Sequence, residues 1–172
     1  MKSKLIRAIT GLLLALVGHF AIWKLAPSIA SGFDLFLVLT LAAAIRGGQL
    51  EGMLTGMVAG VIADAVSGSP FGLQGFALTM TGYGVGFAAD RVAEMTEVSA
   101  AFLSSSGALA QRVLVIGLLY LFASGSTLDA WWVIPMVIGT TTFLVWMIRV
   151  AGHLGVLVGV WKRRRRGRKL RL

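Results

Sequence analysis

The sequence predicts an all-α fold, a polytopic membrane protein built as a six-helix transmembrane bundle, and three observations carry that expectation. Of the 172 residues, 57% are hydrophobic and only 13% are charged, where a soluble domain carries charge on about a quarter of its residues. Half of the 16 lysines and arginines follow Trp161, so the body before it is almost uncharged. At about 20 residues per spanning helix, six spans take roughly 120 residues and leave room for short connections but not for a separate soluble domain. Residues 1–161 are therefore read as one membrane domain and 162–172 as a basic tail.

The first span is placed at about 5–23, with Lys2, Lys4 and Arg7 at its start, and is followed by Lys24 and Pro27. Its length, and the membrane character of everything after it, favour an uncleaved span over a signal peptide cut near Ser28-Ile29-Ala30. A second span at 30–45 is short and calls for tilt or a thinned bilayer. The third is placed at 50–66. The fourth, at 70–89, starts from a turn in which Ser69 offers an N-cap, Pro70 a first helical position and Gly72 a structural turn residue. The fifth runs over 99–123. The sixth begins near 129, with Trp131 and Trp132 as interface anchors, and ends at about 150 or continues to 161.

Six spans put both termini on one side. Three basic residues lie in the N-terminal segment and eight follow Trp161, against Lys24 alone on the other side, so both termini are expected in the cytoplasm. The tail residues Lys162, Arg163, Arg164, Arg165 and Arg166 are read as a topogenic signal that also holds anionic lipid.

In an apolar body the small and polar residues are the informative ones, because lipid gives helices no hydrophobic reason to associate and close backbone approach must do so instead. Gly52, Gly56, Gly60 and Asp64 recur every four residues. Each step advances about 40° around a helix, so the four form one groove that must meet another helix. That helix is either a neighbour in the bundle or a partner's. Asp64 falls at the C-terminal end of its helix, where the macrodipole and desolvation both disfavour a carboxylate. Its expected compensation is the N–H groups of the Ser67-Gly68-Ser69 turn or a cation. Arg112 is the cation in the middle of a span, and it is expected to pair with Asp64 or Asp34. Gly82, Gly86 and Asp90 repeat the glycine-glycine-aspartate spacing in the next helix; coincidence is the reading preferred over an inverted repeat.

Catalytic and cofactor signatures do not emerge. There is no G-x-S-G or G-x-G-D motif of intramembrane proteases and no phosphate-cradling loop, so the chain is not read as an enzyme. Cysteine is absent, and His19 and His153 lie far apart in apolar runs, so no metal or other cofactor is expected. The basic tail has no accompanying nucleic-acid-binding fold, and no nucleic acid is expected as a partner.

From Gly32 to Phe87 the chain resembles the rod shape-determining protein MreD family. The likeness rests on Phe33-Asp34-Leu35, on Arg46-Gly47-Gly48, and on Gly56, Gly60, Asp64, Ser67, Gly68, Pro70, Gly72, Leu73 and Tyr83 in order. Phe33 stands where the family usually has proline, and the arginine-rich tail is unusually long. The resemblance implies a non-catalytic scaffold or regulator of the elongation machinery in the bacterial inner membrane, supporting side-wall peptidoglycan synthesis. It also implies MreC as a direct partner through its membrane helix, with RodA, a class B penicillin-binding transpeptidase and MreB in the same complex. Asp34, Gly52, Gly56, Gly60, Asp64 and Arg112 are then the candidates for partner or pocket contacts.

An alternative comes from the substrate-binding subunits of energy-coupling-factor vitamin transporters, compact six-helix proteins to which the fold is similar. There, Asp34, Asp64 and Arg112 would surround a small-molecule pocket opening outward. Fold does not separate the two readings.

Overall fold

The computed structural model describes residues 2–25, 33–67, 72–92, 94–122 and 134–149. The fold is all-helical, with five helices among these residues: α1 (Lys2–Leu25), α2 (Leu35–Ser67), α3 (Leu73–Ala89), α4 (Glu97–Phe122) and α5 (Ile134–Arg149). Two of them, α2 and α4, are long and apolar enough to cross a membrane by length and composition. The expected sixth span corresponds to α5 as far as Arg149. Its possible extension to Trp161, the anchors Trp131 and Trp132, and the tail from Lys162 to Arg166 lie outside the described residues, as do Ser69 and Pro70.

The expected second and third spans meet with no loop between them. Gly48, at φ 77 and ψ −166, is the one non-helical residue inside α2. On a straight helix Thr40 and Gly56 would be roughly 24 Å apart. Instead, a Cβ at Gly56 would lie 3.1 Å from Thr40 Cγ2, and one at Gly52 would lie 2.7 Å from Ala44 Cβ. The chain therefore folds back at Gly48, and limbs 35–47 and 49–67 run antiparallel. A side chain at Gly48 would need a backbone region that only glycine occupies readily, and its Cβ would strike the Asp90 carboxylate. Gly48→Ala is accordingly expected to lower the melting temperature of the detergent-purified protein, by about 1–3 kcal/mol of stability. Gly117→Ala, where a Cβ meets nothing within 4 Å, should be neutral in the same assay.

Each limb packs antiparallel to the one before it. A Cβ at Gly11 in α1 would meet Leu39 Cδ1 at 2.7 Å, and one at Gly18 would meet Leu35 Cδ1 at 2.8 Å. Gly107 of α4 sits against Leu41 of α2 and Val85 of α3. Ser105 and Thr142 join α4 to α5 by a 2.9 Å hydroxyl–hydroxyl bond. The core lies where these helices converge, around Leu37, Leu41, Leu78, Ala108, Val137 and Val145.

The end of the bundle nearest Gly48 is closed by polar contacts. Arg46 Nη2 donates to the Ile148 carbonyl at 2.7 Å, satisfying an acceptor that the last turn of α5 leaves free. Arg149 donates to the Met95 carbonyl at 3.1 Å and pairs with Glu97 at 3.4 Å.

Candidate functional site

The glycines that recur through α2 and α3 interlock within the chain. A Cβ at Gly52 would strike the Gly82 carbonyl, one at Gly56 the Leu78 carbonyl, and one at Gly60 the backbone of Gln74 and Gly75. Reciprocally, Gly82 faces the Gly52 carbonyl and Gly86 faces Gly48 and Gln49. Backbone meets backbone along the whole contact, which is the arrangement that small residues permit between membrane helices. The groove read as a candidate partner contact is thus filled by α3, and Gly52, Gly56 and Gly60 are structural.

Asp64 is 2% exposed, yet its charge is well solvated by the protein. Its carboxylate accepts the backbone N–H groups of Gly72 at 2.9 Å, Gln74 at 2.9 Å and Gly75 at 3.1 Å. These donors come from the first turn of α3, which begins at Leu73 after Gly72 in a left-handed conformation (φ 96), rather than at Pro70. These three donors compensate the carboxylate for a physical reason. A helix start leaves free N–H groups pointing outward, and its dipole favours an anion.

Asp90, at the end of α3, does the same at the other end of the pair. Its Oδ2 accepts the Gln49 N–H at 3.1 Å, where the second limb of α2 begins after Gly48. Each helix thus starts after a positive-φ glycine and ends in an aspartate that caps the other's first turn. The repeated glycine-glycine-aspartate spacing, read above as coincidence, reflects this local two-fold relation.

Two polar pairs are formed from adjacent positions of α4, Gln111 and Arg112. Arg112 Nη2 lies 3.9 Å from Asp34 Oδ2, so of the two partners expected for Arg112 the structure shows Asp34. Asp34 is also the N-cap of α2, accepting the Leu37 N–H at 3.0 Å. Gln111, fully buried, donates from Nε2 to Gln74 Oε1 at 3.0 Å. Sequence reading passed over this pair, although two glutamines within apolar spans are the signal that could have found it. Among the described residues, Gln111 Oε1 and Arg112 Nε are buried without hydrogen-bond partners. Reversing the charges tests the ion pair. Arg112→Asp and Asp34→Arg should each reduce the amount of chain in the membrane, and the double reversal should recover only part, because arginine at 34 cannot accept the Leu37 N–H. A double variant no more abundant than the worse single one would remove the pair from consideration.

The chemistry of this arrangement is that of a packing device: carboxylates held by backbone donors, amides paired with each other, glycines in contact with carbonyls. A family model for rod shape-determining protein MreD matches residues 3–150. The chain belongs to the MreD family. Membership carries a cell shape-determining role in the rod complex and a place in the bacterial inner membrane. The match runs through all five described helices and stops just past Arg149, so the MreD family pattern takes in the interlocked pair, Asp34 and Arg112 but not the basic tail. No curated protein and no solved structure matches the chain.

Proposed function

We propose that this chain is a non-catalytic scaffold of the rod complex, which binds MreC through MreC's membrane helix and supports side-wall peptidoglycan synthesis. RodA, a class B penicillin-binding transpeptidase and MreB are the further members of that assembly. The six limbs of the fold each cross the inner membrane, with both termini in the cytoplasm and Lys162 to Arg166 against anionic headgroups. The family match over residues 3–150 is the observation that carries this reading. The internal use of the polar residues supports it over the vitamin-transporter alternative. Asp64 is held by α3 and Asp34 both caps α2 and faces Arg112, so the groups wanted for a ligand pocket serve the fold.

The test is to purify the tagged chain from native membranes in mild detergent and to identify what accompanies it by mass spectrometry. Recovery of MreC with the wall synthases is the expected result. Recovery of a transporter ATPase with a tightly held vitamin would overturn the proposal.

A further inference from the structure

Along the second limb of α2, Leu50, Leu54, Met57 and Val61 are exposed, and along α3 so are Phe76, Met80, Tyr83 and Phe87. Both sets step by four, three and four residues, the spacing of a coiled-coil seam. The register that sets Gly52 against Gly82 and Gly56 against Leu78 brings Leu54 level with Met80 and Leu50 level with Gly84, beside Tyr83. The stripes share one side of the pair. Their opposite side is taken by the first limb of α2, where Thr40 meets Gly56 and Gly82, and by α4, where Gly107 meets Val85. Because the glycines bring the two backbones into contact, the stripes merge into a single broad apolar face.

Lipid alone would suit leucine, methionine and phenylalanine, but two residues near the middle of this face require more. Tyr83 is 43% exposed, and its hydroxyl makes no hydrogen bond among the described residues. It lies roughly 10 Å along α3 from the end capped by Asp90. Helical side chains lean toward the helix N-terminus, which for α3 is the far end, so the phenol is carried toward the middle of the hydrocarbon. An unpaired donor is costly there. Next to it, Gly84 is exposed, and a Cβ at that position would meet nothing within 4 Å. Phe87 stacks on Tyr83 at 6.1 Å, and the Arg91 guanidinium lies 3.4 Å over the Phe87 ring, so the aromatic row is held in place.

We propose that this face binds a single membrane-spanning helix of a partner protein. A small residue of that helix seats against Gly84, and a hydroxyl or carbonyl oxygen beside it accepts the Tyr83 hydrogen bond. Apart from Tyr83, the two stripes carry no nitrogen or oxygen in a side chain, so a second copy docked through the same face offers no acceptor except the same phenol. A helix with a serine, threonine or small-residue segment supplies one. The inference rests on the reading of the chain as a scaffold for a membrane helix, and it names the face that does the holding.

The experiment places a photo-crosslinking benzoylphenylalanine at Leu54, at Met80 or, as a control on the outward side of α4, at Val113, in the full chain in native membranes. Leu54 and Met80 are expected to give an adduct with one single-pass protein, mapped to a residue inside its membrane helix, and Val113 is not. Tyr83→Phe should lower the adduct yield by about three- to tenfold, the range of one interhelical hydrogen bond. Gly84→Leu should abolish the adduct with the chain at normal abundance. Adducts to lipid only, adducts to a second copy, or indifference to both substitutions would overturn the proposal. If MreC co-purifies with Gly84→Leu at wild-type yield, the face is wrong and the scaffold reading stands. If the wild-type chain brings no wall protein yet crosslinks another single-pass helix from Leu54 and Met80, the face stands and the scaffold reading falls.

Discussion

Gly56→Leu is expected to remove the folded chain from the membrane, the largest effect of any single substitution considered. A Cβ at this position would already strike the Leu78 carbonyl and approach Thr40 Cγ2 at 3.1 Å, and leucine adds three further carbons. Neither neighbour is the free end of a flexible side chain: one is backbone, and the other is a buried β-branched residue whose hydroxyl donates to the Phe36 carbonyl at 2.8 Å. The two limbs of α2 and α3 would all have to separate, which costs about 3 kcal/mol or more, at the upper end of overpacking or beyond it. Immunoblots of washed membranes measure the outcome. Wild-type abundance together with loss of partner recovery would instead mean that the glycine face looks outward.

Asp64→Ala is the second. It strands three N–H groups at the start of α3, at about 1–3 kcal/mol for each donor left buried and unsatisfied. Asp64→Asn separates hydrogen bonding from charge. Its one carbonyl oxygen can still accept from part of the set, so its loss of thermal stability in detergent should fall between wild type and alanine. Equal loss in Asn and Ala would show that the negative charge at the helix start matters more than the acceptors. No loss in either would show that Asp64 does not anchor α3.

Much of this arrangement was legible in the sequence because its causes are local. The four-residue recurrence of Gly52, Gly56 and Gly60 forces a helix face that something must fill, and the approximate helix positions follow from hydropathy. Arg112 and Asp34 are conspicuous because charges are rare in such a chain, and one of the two pairings expected for Arg112 is present. What was not legible depends on geometry that arises only when segments meet. Arg46-Gly47-Gly48 reads equally as a loop or a hinge until the φ of 77 at Gly48 is known. Three donors to Asp64 lie 8 to 11 residues further on, farther along the chain than the adjacent turn that local reasoning inspects. The role of Gly82, Gly86 and Asp90 was hidden because three matching positions are weak as a repeat, and they become a pattern only once both ends of the pair are capped in the same way. Gln74 and Gln111 were missed because neither residue is informative without the other.

The reciprocal capping has a consequence for how the chain enters the bilayer. When the second limb of α2 leaves the translocation channel, its aspartate has not yet met the donors that hold it, and its glycine groove faces lipid that cannot fill it. Only the emergence of α3 supplies both, and α3 in turn brings the carboxylate that closes the start of the limb before it. On the proposed topology the two segments depend on each other for insertion, and the unit expected to partition from the channel into the membrane is the hairpin from Gly48 to Asp90.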